Sequence, residues 1–189
     1  ELPDGECLTM SSMGAIEDIA HSGKRPDSIV IGPGLGRDEL TTEAVRAVIS
    51  LATEMGIPLV VDADAIGALP DGRWPSGMTG VATPHQAEAS RWLGGSEPHE
   101  ALSECLDEDS TIVITGPEDS LTGPMGRNAS ARGGHPRMAV GGTGDLLAGA
   151  IGGLMAQGMP PWPAARLGCS LLREAGDRAA AEKGPGLLA

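Results

Sequence analysis

Residues 139–158, AVGGTGDLLAGAIGGLMAQG, combine glycines, a threonine and an aspartate where an apolar helix is expected to begin. The amides of Gly141, Gly142 and Gly144 can approach an anion with no Cβ in the way, and a helix N-terminus adds a positive dipole. Asp145 can then accept a proton from a hydroxyl that attacks a phosphoryl group. A helix capped by Thr143 with an acidic first turn explains the same residues, although a cap does not require three glycines.

Two common phosphate-binding fingerprints are absent from this segment. A GxGxxG pattern starting at Gly142 requires glycine at position 147, which is Leu147, and the Gly-Lys-Ser/Thr of a P-loop does not occur. An anion site here therefore depends on the glycine amides, the helix dipole and a divalent metal ion, since basic residues are scarce.

Four more polar turns follow predicted strands. GPGLG follows a strand at residues 28–31, DAD follows one at residues 59–61, and TGPED follows one at residues 111–114, while TPH follows a third short strand between the last two. Parallel strands place the turns that follow them at one edge of the sheet, where α/β proteins bind ligands. We expect these turns to lie together.

Each turn also has a purely structural explanation. In ATPHQAEASRWLGG, Thr83 suits a helix N-cap, Pro84 the first helical position and Gln86 a capping box, with His85 and Glu88 on one face. Asp62 and Asp64 of the DAD turn suit a metal or water site as well as a carboxylate-capped turn. GPGLG can be a tight turn only.

The alternation of β-branched apolar runs with helical periodicity predicts the fold class. Helices are expected at residues 41–56, 83–95 and 163–183, a polar helix at residues 96–109, and a hairpin at residues 118–136. This pattern is typical of an α/β protein with a mostly parallel sheet covered on both faces. We expect residues 1–189 to form a single domain.

Charge and composition exclude several classes of function. The 189 residues carry 26 acidic against 13 basic side chains, a net charge of −13, which disfavours binding to nucleic acids or anionic membranes. Three widely spaced cysteines indicate neither a disulfide framework nor a zinc site. With no signal peptide visible, we expect a cytoplasmic protein.

Four segments together carry a resemblance to a family. VIGPGLGRD, PLVVDADAIGAL, VATPHQAEASRWLG and MAVGGTGDLLAG, in this order and spacing, resemble the ADP- or ATP-dependent NAD(P)H-hydrate dehydratases of the ribokinase-like superfamily. The resemblance covers nearly the whole chain and implies a three-layer α/β/α sandwich. The family's domain has further strands before position 1 and a short tail after position 189, so the resemblance implies truncation at both ends.

The resemblance implies a lyase that repairs hydrated NADH or NADPH. The ring hydroxyl is phosphorylated from ADP or ATP with Mg²⁺, and phosphate is then eliminated. Asp145 matches the catalytic aspartate. The resemblance assigns the other site residues to the hydrated dinucleotide (Gly34, Gly36 and His85, beside Asp145) and to the nucleotide phosphates (Gly141, Gly142, Thr143, Gly144, Thr115, Gly116, Pro117, Glu118 and Asp119).

The sequence departs from the family where a positive charge is expected. The family has Lys-Gly where this chain has Thr115-Gly116, and Asn-Pro-Gly-Met where it has His135-Pro-Arg137-Met. We expect Arg137 to supply the missing charge from another position. The donor nucleotide, a homo-oligomeric state and a companion epimerase domain or partner are not determined by these residues.

Two other functions fit the same motifs. A ribokinase-like kinase of a small alcohol, such as a thiamin precursor, uses the aspartate of the same GGTGD motif as its base. A nucleotide-binding module with weak catalysis is consistent with Thr115 in place of the family's lysine. TPH and GPGLG favour the dehydratase.

Overall fold

Six strands form one mixed sheet in the computed structural model, which describes residues 7–23, 25–102 and 109–183. The strand order is β1-β2-β3-β4-β5-β6; neighbours from β1 to β4 run parallel, and β4-β5 and β5-β6 run antiparallel. The strands are β1 (Ile29–Ile31), β2 (Leu59–Val61), β3 (Gly80–Ala82), β4 (Ser110–Ile114), β5 (Asp119–Gly123) and β6 (Arg127–Ala131).

Helices cover both faces of this sheet. They are α1 (Met13–His21), α2 (Glu39–Glu54), α3 (Gln86–Leu93), α4 (Pro98–Ala101), α5 (Thr143–Ala156) and α6 (Pro161–Lys183). Short 3-10 turns occur at Met10–Ser12, Ala63–Ala68, Pro124–Gly126 and Pro136–Met138. None of the helices in the described part of the chain combines the length and the hydropathy needed to cross a membrane.

Two hydrophobic cores lie on opposite faces of the sheet because successive strand residues point in opposite directions. Val60 and Val81 are fully buried on the face covered by α5 and α6. Val61 and Ala82 are fully buried against α2 and α3 on the other face. The predicted three-layer α/β/α arrangement with a mostly parallel sheet is confirmed.

A glycine of α5 sets how closely this helix lies on the sheet. A Cβ at Gly152 would come within 2.5 Å of Val30 Cγ2, and the carbonyl oxygen of Gly152 accepts a 2.8 Å hydrogen bond from Ser28 Oγ. The helix therefore lies directly on β1 and β2. A Cβ on Gly144, at its N-terminal end, would lie 3.8 Å from Asp62 Oδ2, just after β2.

Most predicted elements are confirmed, with differences at their ends. The strand at 59–61 has the predicted bounds, and the segment 118–136 contains the predicted hairpin of β5 and β6. The predicted polar helix at 96–109 is described only as the single turn of α4, and residues 103–108 of that prediction lie outside the described residues. The helix predicted from Thr83 begins three residues later, at Gln86.

Candidate active site

The turns that follow β1, β2, β3 and β4 meet at one edge of the sheet. Gly36 N donates to Asp64 Oδ2 at 3.0 Å, which joins the turns after β1 and β2. Thr83 Oγ1 donates to Asp62 Oδ1 at 2.9 Å, which joins those after β2 and β3. A parallel β-bridge between His85 and Thr115 joins the turns after β3 and β4. The expected clustering is confirmed by these contacts.

The GPGLG turn begins with a close backbone approach. Gly32 has φ +135°, and a Cβ there would lie 1.7 Å from the carbonyl oxygen of Asp62. A side chain at this position is excluded both by space and by backbone conformation. The turn after β1 is therefore held directly against the first residue of the DAD turn.

Asp62 is a buried carboxylate beside the N-terminus of α5. Its exposed fraction is 5%, and a Cβ on Gly144 would lie 3.8 Å from Asp62 Oδ2. Burial raises the pKa of Asp62, the hydrogen bond from Thr83 opposes that rise, and the nearby charges of Glu88 and Asp145 add to it. The charges of Asp62 and Asp145 thus act on each other although 83 positions separate them in the sequence.

Asp62→Asn is expected to raise the melting temperature of the ligand-free protein at neutral pH by a few degrees. The folded-state pKa of Asp62 lies above the ordinary value of 3.8. The folded state therefore holds this proton more tightly, and stability falls as pH rises from the ordinary pKa through the raised one. Melting curves at pH values from about 3 to about 8 measure the difference in melting temperature between Asp62→Asn and the unaltered chain. The advantage of Asn should disappear at the acidic end; an equal advantage at every pH would contradict the assignment.

His85 caps α3, which corrects the prediction that Thr83 does so. The helix begins at Gln86, so neither Pro84 at the first helical position nor a Thr83–Gln86 capping box occurs. His85 Nδ1 accepts from Ala87 N at 3.1 Å and Glu88 N at 3.3 Å, while Glu88 Oε2 accepts from His85 N at 3.0 Å. The Thr83 hydroxyl instead faces Asp62 across the sheet.

This cap determines the tautomer of His85. Because Nδ1 accepts two amide hydrogen bonds, the neutral imidazole carries its proton on Nε2. The side chain is 55% exposed, and Nε2 lies 3.4 Å from Glu88 Oε1, beyond the usual length of an N–H···O bond. The Nε2–H group therefore remains available to a ligand.

The GGTGD segment forms the N-terminus of α5 without a side-chain cap. Gly142 occupies the N-cap with φ 94°, and Thr143 is the first helical residue rather than the cap. The capping explanation of this segment is therefore wrong. The first amides of a helix have no intrahelical partner, so those of Gly144 and Asp145 can receive an anion. A Cβ on Gly141 would meet nothing within 4 Å, and Asp145 is exposed beside this end.

The predicted nucleotide segment, residues 115–119, is held by Arg173 of α6. Arg173 Nη2 and Nη1 donate to the carbonyl oxygens of Gly116 at 2.8 Å and Pro117 at 2.9 Å, and Nη1 also donates to that of Gly133. Its Nε and Nη2 pair with the Asp119 carboxylate at 2.8 and 2.7 Å. Asp119 thus anchors this segment internally, whereas Gly116, Pro117 and Glu118 are exposed.

The structure places the remaining predicted residues around this edge. Gly34 lies in the turn after β1 with Gly36, and Thr115 N donates to Pro84 O at 2.9 Å. Arg137 lies in the exposed 3-10 turn Pro136–Met138, before the GGTGD segment. Its role in charge compensation stays a prediction.

Sequence reasoning missed two arginines, Arg37 and Arg173. Arg37 directly follows GPGLG, and this position next to a predicted ligand turn was a usable signal. Arg173 lies in the middle of a long helix, where nothing in the local pattern separates it from a solvent-exposed arginine.

The carboxylates of the candidate site suit a Mg²⁺ ion that is bound together with a nucleotide. No group of three or more metal-ligating side chains occurs within residues 7–23, 25–102 and 109–183. Mg²⁺ commonly binds through one or two carboxylates together with phosphate oxygens. Asp62 and Asp145 can supply such carboxylates, and the open space at Gly141 suits a phosphate group.

Curated proteins similar to this chain carry related names. A bifunctional NAD(P)H-hydrate repair enzyme of Moorella thermoacetica is 35% identical, with 95% of this chain aligned to 37% of the relative. An ADP-dependent (S)-NAD(P)H-hydrate dehydratase of Haloterrigena turkmenica is 32% identical over 93% of this chain and 64% of the relative. The chain thus spans little more than a third of the first relative and just under two thirds of the second.

Solved structures show the same fold. An ADP/ATP-dependent NAD(P)H-hydrate dehydratase from Bacillus subtilis, co-crystallised with ATP and Mg²⁺, superposes with a TM-score of 0.68 at 27% identity, covering 86% of this chain and 59% of that one. A ribokinase-like superfamily protein from Enterococcus faecalis gives 0.69 at 29% identity, covering 86% and 58%.

A family-wide comparison covers almost all of the sequence. The NAD(P)H-hydrate dehydratase family matches residues 5–189, which include every turn of the candidate site. With the four motifs, the sheet edge that unites them and the similar structures in agreement, the chain belongs to the NAD(P)H-hydrate dehydratase family.

Proposed function

We propose that this chain carries out nucleotide-dependent dehydration of hydrated NADH or NADPH, as a single catalytic domain. The observation that carries the proposal is the uncapped N-terminus of α5, with Asp145 beside it, at the sheet edge where the other polar turns converge. ADP or ATP supplies the phosphoryl group that makes the ring hydroxyl a leaving group, and Mg²⁺ offsets phosphate charge.

In this proposal Asp145 acts as the base. Its carboxylate takes the proton of the ring hydroxyl as the hydroxyl oxygen forms its bond to the terminal phosphorus of ADP or ATP. The bond from that phosphorus to the bridging oxygen breaks, and the shortened nucleotide leaves with that oxygen. Gly141, Gly142, Thr143 and Gly144 line the site of the transferring phosphoryl group. The free amides of Gly144 and Asp145 and the helix dipole stabilise the charge that develops there. Loss of phosphate from the ring carbon and of a proton from its neighbour then restores the double bond.

The other turns are proposed to hold the two substrates. Gly34, Gly36 and the Nε2–H of His85 face the hydrated dinucleotide, and residues 115–118 contact the nucleotide. Asp62 is the carboxylate available to Mg²⁺, since Asp145 is used as the base. The relatives named bifunctional support a further proposal, that a companion epimerase domain or partner supplies the reactive epimer. We also propose a cytoplasmic homo-oligomer.

The test is turnover of hydrated NADH by the purified chain with Mg²⁺ and either ADP or ATP. We expect the near-ultraviolet absorbance of intact dihydronicotinamide to appear only when a nucleotide is present. Transfer of phosphate to a small alcohol such as a thiamin precursor, without ring repair, would instead identify a kinase. A melting temperature raised by ADP without any turnover would identify a binding module.

A further inference from the structure

Arg37 lies between the two turns proposed to hold the hydrated dinucleotide. Its Nε is 2.6 Å from Asp64 Oδ1, and its Nη2 is 3.3 Å from Glu88 Oε1. The carboxylates belong to turns that follow different strands, the Asp64 turn after β2 and the start of α3 after β3. One planar guanidinium therefore joins the three segments that follow β1, β2 and β3.

Each of these carboxylates uses its second oxygen for a main-chain amide. Asp64 Oδ2 accepts from Gly36 N at 3.0 Å, and Glu88 Oε2 accepts from His85 N at 3.0 Å. Gly36 and His85 are the residues proposed to contact the hydrated dinucleotide. The arrangement is symmetric, since Arg37 reaches each of them through one carboxylate.

Burial distinguishes this network from an ordinary surface ion pair. The Glu88 side chain is only 8% exposed and that of Asp64 22%, while Arg37 is 53% exposed. Both oxygens of the Asp64 carboxylate are occupied, Oδ1 by Arg37 Nε and Oδ2 by Gly36 N. Glu88 Oε1 pairs with Arg37 Nη2, and this pairing competes with the weak contact between the same oxygen and His85 Nε2. The Nε2–H of His85 is therefore left to the ligand.

We propose that Arg37, through Asp64 and Glu88, is a positioning residue that sets the spacing between the turn at Gly36 and the His85 ring for binding of the hydrated dinucleotide. This inference rests on the proposed function. Arg37 acts through its two carboxylates and touches neither the reacting hydroxyl nor the phosphoryl group. Removal of the Arg37 side chain loosens the site for the hydrated dinucleotide and leaves the N-terminus of α5 in place.

The experiment compares Arg37→Ala and Arg37→Lys with the unaltered chain. For Arg37→Ala we expect KM for hydrated NADH to rise about tenfold or more, because small misplacements of binding groups are costly. The KM for ADP and kcat should change less than about twofold. Arg37→Lys should be intermediate, since an ammonium cannot bridge both carboxylates as the guanidinium fork does.

Asp64→Asn and Arg91→Ala complete the design. Arg37→Ala/Asp64→Asn should raise KM little beyond the larger single effect, because both changes open the same link. Arg91 lies on α3 near Glu88 and donates to Ala87 O at 3.2 Å, so Arg91→Ala removes a nearby charge outside the network. We expect that control to keep the KM of the unaltered chain.

Several outcomes overturn the positioning role. Unchanged KM for hydrated NADH in Arg37→Ala, an equal change in the KM for ADP, or an equal effect of Arg91→Ala would each do so. If the unaltered chain shows no turnover, the proposed function fails, and calorimetric titration with intact NADH decides the positioning role separately. Weaker NADH binding by Arg37→Ala supports it; equal binding, or none by the unaltered chain, overturns it.

Discussion

Asp145→Asn is expected to lower kcat for hydrated NADH by about 10²- to 10⁴-fold, the usual contribution of a positioned general base. An amide keeps the size of the side chain but cannot take the proton of the ring hydroxyl. The uncapped amides at the start of α5 belong to the backbone, so the site for the nucleotide phosphate remains. Steady-state kinetics with ADP and Mg²⁺ measures the loss.

ADP binding provides the internal check on this variant. The increase in melting temperature produced by ADP should be similar in Asp145→Asn and the unaltered chain, since binding rather than chemistry determines it. Asp18→Asn, an exposed carboxylate change on α1, is the matched control and should keep full activity. Activity of Asp145→Asn within a few-fold of the unaltered chain would remove Asp145 from the role of base.

Arg173→Met is expected to destabilise the protein by about 3–5 kcal/mol, because it leaves a buried carboxylate without its partner. The side chains of Arg173 and Asp119 are only 10% and 9% exposed. The hydrogen bond to Asp119 is the main cause that raises the pKa of Arg173, which keeps the guanidinium charged. The change also removes the donors that hold the carbonyl groups of residues 116–117. Urea unfolding measures the loss.

Three further variants separate the buried charge from the backbone contacts. Arg173→Met/Asp119→Asn should recover part of the stability, since the isolated negative charge is removed. Arg173→Lys keeps the charge but not the fork, so an intermediate loss is expected. Arg178→Met on the same helix breaks an exposed pair with Glu174 and should have little effect.

Nucleotide affinity gives the functional consequence of the same change. We expect ADP to bind more weakly to Arg173→Lys even at temperatures where this variant is fully folded, because residues 116–118 lose part of their anchor. Calorimetric titration at low temperature measures the affinity. Unchanged affinity in folded Arg173→Lys would separate this segment from nucleotide binding.

Local patterns were sufficient for most of the fold. The run Leu59–Val61 is apolar, contains two β-branched valines and ends at an acidic residue, so the strand has the predicted bounds. The hairpin of β5 and β6 followed from turn residues and short alternating stretches. The start of α3 was misplaced, because Thr83 has the right side chain for a cap but finds Asp62, 21 residues away, as its partner.

Sequence alone determined the chemistry that is available: a glycine-rich segment leading into a helix, an aspartate in its first turn, and polar turns after strands. It also indicated that these turns share a sheet edge, because parallel connections require it. The tertiary structure alone decided which side chains hold them. Arg37 pairs with residues 27 and 51 positions away, and Arg173 with groups 40 to 57 positions away. Such contacts follow no helix or strand period, so only the packing of distant segments brings them together.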